Sequence, residues 1–219
     1  IPAFGSRNAL LIFTVAALLA GALMAAAAVW GTARPHVPAR GMAWTLGCTA
    51  GLAMLFPAHW DLDKLSEGSN VYFFPQQWGK VIDHAESAEG GLTTVTQSAD
   101  GLLTLLTNGK FQGNNSEQGE MIAQKSIALI PLLHTAQRDT ALVIGYGTGM
   151  TPRVIHENEF RSLDIAELSE DMVRLADRHF ENINHAVTSQ PGVNTYYTDG
   201  RNFLLTQSKE YDLISIEIS

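Results

Sequence analysis

Three glycines stand at alternate positions in Ala141-Leu142-Val143-Ile144-Gly145-Tyr146-Gly147-Thr148-Gly149, directly after a short apolar run. Where a strand ends in such a turn, glycine permits φ > 0 and lets the backbone approach a ligand that a Cβ would repel. Met150 follows Gly149, so the spacing is GxGxG. The GxGxxG cradle of a pyrophosphate would need glycine at 150, and a pyrophosphate ligand is therefore disfavoured. Glu167 closes the next apolar run, where a carboxylate can accept hydrogen bonds from both hydroxyls of a ribose. Asp199-Gly200 follows a third run, with a carboxylate and amides suited to an adenine edge, and Glu217 follows a fourth. The joint pattern predicts a nucleoside-binding crevice.

These groups act together only if the runs before them lie side by side. The runs at 141–144, 162–166, 193–198 and 212–216 read as strands, separated by helices predicted at 151–158, 170–182 and 201–207. That βαβαβαβ order is the pattern of an open parallel sheet, whose carboxyl strand ends form a binding crevice. Upstream, short runs at 71–74, 80–84, 92–96 and 102–106 alternate with turn residues such as Glu89-Gly90-Gly91 and Asn108-Gly109. They predict a small antiparallel sheet with hairpins. Between the two sheets a helix is expected over 117–134, with Pro131 ending it. A parallel sheet stopped after its fourth strand would leave an edge bare, so the chain is expected to be a piece of something longer.

Charge divides the chain. The first 60 residues hold Arg7, Arg34 and Arg40 and no Asp or Glu, whereas the remaining 11 basic residues face all 22 acidic ones. A head of +3 thus precedes a portion of −11, which suits a small cationic substrate and predicts no nucleic-acid partner. The single Cys48 excludes a disulfide framework and a Cys-rich zinc module, and the seven histidines contain no i,i+4 pair, so no metal site is expected.

Residues 9–30 are uncharged and long enough to cross a bilayer as a helix. A second apolar run at 41–57, borderline in length, carries the small residues Gly47, Thr49, Ala50 and Gly51 that suit helix packing in lipid. The first run also admits a signal-peptide reading, with Arg7 as its basic region and 25–28 as a small-residue cleavage site. With no Met at position 1, further spans are expected upstream. Arg34 and Arg40, between the two runs, favour a cytoplasmic link and an external domain, against a chemistry that needs a cytosolic metabolite. The expected organisation is a membrane segment over 1–60, a small β-domain over 61–116 and a nucleoside-binding domain over 117–219.

From about residue 79 onward the chain resembles the spermidine synthase (polyamine aminopropyltransferase) family. With its apolar head it looks like the membrane-fused branch. Leu106-Thr107-Asn108-Gly109-Lys110-Phe111-Gln112 is similar to the family's L-x-D-G-x-x-Q, and Glu120-Met121 to the end of its Y-H-E-M. The glycine loop, Glu167, Asp199-Gly200-Arg201-Asn202-Phe203-Leu204 and Tyr211-Asp212-Leu213-Ile214 complete the set in order. The resemblance implies a methyltransferase-like Rossmann domain after the β-domain. It implies transfer of an aminopropyl group from decarboxylated S-adenosylmethionine to a diamine such as putrescine, by a possible homodimer at the inner or plasma membrane with a cytoplasmic catalytic domain.

Carried over by position, Glu167 holds the ribose, Asp199 and Gly200 the adenine, and Gly145, Gly147, Thr148 and Gly149 the sulfonium side. Gln112 joins the donor site, and Glu217 stands where the family keeps a catalytic aspartate. Three departures fall at the substrate end. Thr148 replaces a loop acid that pairs with the donor's amino group, Gln118-Gly119 replaces Tyr-His, and Ser215-Ile216-Glu217-Ile218-Ser219 replaces an aspartate-rich D-x-x-D-P. The first of these predicts that intact S-adenosylmethionine is also accepted. The alternatives are an S-adenosylmethionine-dependent methyltransferase and a non-catalytic module that senses a nucleoside or polyamine. Read without a ligand, Glu217 is a strand-end acid, Asn108-Gly109 a hairpin turn, Gln112 and Glu120 helix caps or solvated groups, and Tyr72, Phe73, Phe74, Trp78, Tyr196 and Tyr197 core.

Overall fold

The computed structural model describes residues 5–30, 47, 50–51 and 59–217. The chain divides into two compact units, Ile1–Asp61 and Leu62–Ser219. In the first unit, Gly5–Trp30 forms one helix, α1, of 26 residues, about 39 Å at 1.5 Å per residue. Its stretch Gly5–Met24 is long and apolar enough to cross a membrane, a test of length and composition that a signal sequence also meets. The second apolar run expected to span, 41–57, lies outside the described residues except for Gly47, Ala50 and Gly51, which are helical.

The second unit opens with two short helices, α2 (Leu62–Ser66) and α3 (Ser69–Tyr72). The run at 71–74, expected as a strand, instead ends α3. Gly68 and Phe73 flank that helix in the left-handed region, and Phe73 and Phe74 lie exposed rather than in the core. Strand propensity measures fit to a half-buried pleated surface, and none of the described strands pairs with this run. Tyr196 and Tyr197 are likewise partly open to solvent, whereas Tyr72 and Trp78 pack edge-on and Trp78 stacks on Phe111 at 5.7 Å.

Four strands then form an antiparallel meander: β1 (Lys80–Ser87), β2 (Gly91–Gln97), β3 (Leu103–Thr107) and β4 (Lys110–Asn114). Asn108 and Gly109 join β3 to β4 with φ of 51° and 78°, the two positive values that a type I′ turn requires. This hairpin brings Phe111 and Gln112 back beside the preceding strand, and the sequence reading lacked the strand β4 that carries them. A turn over 117–119 leads into α4 (Glu120–Leu132), which runs one residue past Pro131.

The parallel sheet follows as β5 (Thr140–Ile144), α5 (Met150–Glu157), β6 (Ser162–Glu167), α6 (Glu170–His179), α7 (Glu181–Asn184), β7 (Val193–Tyr197), α8 (Gly200–Thr206) and β8 (Leu213–Ile216). The order in space is β7-β6-β5-β8, all parallel. β5 therefore pairs with β6 on one side and with the last strand on the other, and the switch point lies between β5 and β8. α6 shows why its sequence is helical. Ser169 caps its first turn by accepting from the Met172 N–H at 3.2 Å, Glu170 and Asp171 follow, and Arg178 and His179 occupy the last turn.

One apolar core runs through both sheets. Ala85, Val95 and Leu105 of the meander share it with Val143, Ile165 and Leu175. α6 is the bridge, and its Arg178 and His179 both donate to Asp83 of β1, at 2.9 and 2.8 Å. Those bonds hold the Asp83 carboxyl down at about 2, the His179 contact contributing most. The meander is thereby tied to the last turn of α6, the helix that follows β6.

Candidate active site

The carboxyl ends of β5, β6 and β8 open onto a cavity of about 640 Å³. The glycine loop supplies Gly145, Tyr146 and Gly147; Glu167 and Glu217 close β6 and β8; β4 contributes Phe111 and Gln112; and α4 contributes Glu120 and Gln124. Three carboxylates converge, and no Lys, Arg or His is among the described residues that line it.

Glu167 is almost wholly buried, and each of its oxygens is engaged by the backbone: Oε2 accepts from the Tyr146 N–H and Oε1 from the Ser169 N–H, both at 2.9 Å. One side chain thus pins the glycine loop to the start of α6. Each carboxylate oxygen keeps further acceptor capacity for a hydroxyl donor in the cavity.

The loop must be glycine where it meets β8. Gly145 has φ of 92°, and a Cβ there would lie 2.5 Å from the Glu217 carbonyl oxygen; at Gly147, φ 52°, it would lie 3.2 Å from Glu217 Oε2. Both positions lie in the left-handed region that favours glycine; at Gly145 backbone blocks a side chain outright, whereas at Gly147 the contact is tight and falls on the end of the Glu217 side chain. Beneath the loop, the Tyr146 hydroxyl is buried and donates to Asp177, and burial raises its pKa well above the ordinary phenol range. Asn184 Nδ2 donates to the Thr148 carbonyl at 3.2 Å from the same side.

Glu217 is the perturbed acid of the site. Burial pushes its carboxyl up to about 7, the negative charges of Glu120 and Glu167 add to the rise, and the Thr151 hydroxyl, which donates to Glu217 Oε1, opposes it. A carboxyl that titrates near neutrality inside a cavity can accept a proton from a reacting group.

The residues expected to meet a ligand divide into two sets. Gln112, Gly145, Gly147, Glu167 and Glu217 come together on the cavity. Thr148 is buried and donates to Gln124 Oε1 at 2.6 Å, and Gly149 caps α5 at φ 83°; neither is among the lining residues. Asp199 caps α8 by accepting from the Asn202 N–H at 2.9 Å, and Gly200 begins that helix against Ile144. Sequence reasoning missed Gln124, whose Nε2 donates to Glu120 at 3.1 Å, and Thr151. Gln124 had a signal, since it stands one helical turn after Glu120 on the same face. Thr151 had none, because a threonine in the first turn of a helix is ordinary.

No protein-family model matches the chain. It is similar to curated proteins named polyamine aminopropyltransferase. That of Alkaliphilus oremlandii is 30% identical over 103 residues, which are 47% of this chain and 36% of that protein. That of Methanocaldococcus jannaschii is 28% identical over 114 residues, 52% of this chain and 38% of that protein. The chain spans little more than a third of the length of these relatives. In fold it is similar to the crystal structure of spermidine synthase from Thermotoga maritima, with a TM-score of 0.55 at 18% identity over 63% of this chain and 46% of that one. A spermidine synthase in complex with the transition-state analogue AdoDATO gives 0.56 at 17% identity, over 64% and 47%. The resemblance to aminopropyltransferases that the motifs carry is borne out by these relatives.

Proposed function

We propose that this protein binds decarboxylated S-adenosylmethionine or S-adenosylmethionine and transfers the aminopropyl group of the former to a diamine such as putrescine. The observation that carries the reading is the cavity itself, where Glu120, Glu167 and Glu217 converge without a cation among the described lining residues. Such a site is complementary to a sulfonium and to protonated amines. It fits an adenosyl group as well, since Glu167 retains acceptor capacity and the glycine loop leaves the backbone open to close approach.

When bound, the donor supplies a propyl carbon whose bond to sulfur breaks as the new C–N bond forms, methylthioadenosine leaving with the electron pair. The chain's residues do the rest. Glu167 orients the ribose and, through the Tyr146 amide, the loop around it. Glu217 in its ionised form takes the proton that the attacking nitrogen must lose, and Glu120 offers a second negative charge to the amine. Activity therefore rises with pH through about 7 as Glu217 ionises.

One observation favours a second reading in the same site. Thr148 is buried against Gln124, so the loop offers no acid to the donor's amino group and no repulsion to a carboxylate. Losing a charged hydrogen bond of about 1.5–3 kcal/mol lowers affinity for the decarboxylated donor roughly ten- to hundredfold. Intact S-adenosylmethionine is then accepted, with methyl transfer as the alternative reaction. Full-length protein incubated with labelled donor and putrescine decides between them. Methylthioadenosine is the expected product, adenosylhomocysteine indicates methyl transfer, and binding without either product points to a sensing module. Calorimetry is expected to give similar affinities for the two donors, and a tenfold preference for the decarboxylated one would remove the second reading.

The membrane-fused branch and an inner- or plasma-membrane location with the cavity on the cytoplasmic side belong to this proposal, supported by the apolar helix α1 and by the need for cytosolic metabolites. Full-length protein is expected to remain in membranes washed with alkaline carbonate, and its release into the wash would exclude an integral anchor.

A further inference from the structure

We propose that Thr151 is a positioning residue that serves both protonation states of Glu217 and so sets the pH at which this base becomes active. The inference rests on the reading of Glu217 as the proton acceptor. Thr151 lies in the first turn of α5, wholly buried. Its Oγ1 touches two groups: Glu217 Oε1 and, at 3.1 Å, the backbone carbonyl of Gln124. A hydroxyl has one proton and two lone pairs, so it can donate to only one of them at a time.

The two protonation states of Glu217 use this differently. With Glu217 ionised, Thr151 donates to the carboxylate. The Gln124 carbonyl then keeps the helical bond that its place inside α4 provides. With Glu217 protonated, the carboxyl O–H donates to Thr151 Oγ1, and the Thr151 proton turns to the Gln124 carbonyl. Neither state strands a buried donor, but the bond to the ionised form is charge-assisted and the stronger of the two. Thr151 therefore favours the carboxylate. It is opposed by Glu120 from α4 and Glu167 from the end of β6, while the Tyr146 hydroxyl on the glycine loop is committed to Asp177. No Lys, Arg or His among the described lining residues shares the work.

The test is a direct titration of Glu217 in full-length protein by carbon NMR of labelled glutamate carboxyls, with the resonance identified from its absence in Glu217→Gln. The wild-type midpoint is expected at about 7. In Thr151→Val it moves to about pH 8, a tenfold weaker acid, and in Thr151→Ser it stays near the wild-type value. In turnover, kcat/KM of Thr151→Val at pH 6 falls about tenfold, the deficit narrows toward pH 9, and Thr151→Ser restores it. An unchanged Glu217 midpoint in Thr151→Val overturns the proposal. Should that variant not fold, the wild type still answers: the Thr151 methyl resonance must titrate with the Glu217 midpoint, and a flat response overturns the proposal equally. Absence of turnover with either donor, alongside a shifted carboxyl midpoint, would sink the proposed function and leave the role of Thr151 standing.

Discussion

Glu217→Gln is expected to abolish aminopropyl transfer and, in the same protein, to stabilise the fold at alkaline pH. The two effects have one cause. A positioned general base contributes about 10²- to 10⁴-fold to rate, and Gln cannot accept the proton, so turnover falls by that range. The stability effect follows from the raised carboxyl. Its folded value of about 7 lies above the ordinary 4.5, so the native state holds this proton more tightly than the unfolded chain does. Between those two values the unfolded chain loses the proton first, and native stability declines as pH rises through the window. Above about 7 the full penalty of burying the charge is present, and Gln escapes it. Urea denaturation at pH 8 is expected to favour the variant by about 1–3 kcal/mol, with the advantage vanishing near pH 4. Unchanged turnover would take Glu217 out of the mechanism, and equal stability at pH 8 would show that its carboxyl is not held in a desolvated site.

Glu167→Ala is expected to cost both donor binding and stability, the latter at every pH above the carboxylate range. The side chain satisfies two buried amides, those of Tyr146 and Ser169. Orphaning a buried donor costs about 1–3 kcal/mol, so the two together lower stability by about 2–5 kcal/mol after partial relaxation of the loop. Freed from its tether, the loop no longer presents Gly145 and Gly147 against Glu217, and the proposed donor loses the ribose acceptor assigned to Glu167. Calorimetry with S-adenosylmethionine should show affinity reduced at least about a hundredfold, the worth of two or more charged hydrogen bonds. Affinity within fivefold of wild type would mean that the ribose is held elsewhere.

Much of this arrangement is legible in the chain because it is local. Alternation of apolar runs with amphipathic segments marks the parallel strands and their helices to within a few residues, since each run's period reflects its own backbone geometry. The glycine loop and Glu167 declare themselves by position after a strand, where few residue types serve. The failures are equally physical. Residues 71–74 have the composition of a strand but pair with none of the described strands. Gln124 and Thr151 look like ordinary helix residues until α4 and α5 are packed together.

The sequence alone determined the class of fold and the division into an apolar head and an acidic portion, because periodicity and charge pattern act over a few bonds. The tertiary structure alone decided which acids share a cavity. Bringing β8 beside β5, across the chain from its sequential neighbour β7, puts Glu217 against Gly145 and within reach of Thr151. The burial and the neighbouring charges that raise its carboxyl to about 7 exist only there, since desolvation and Coulomb repulsion depend on distances in space rather than along the chain.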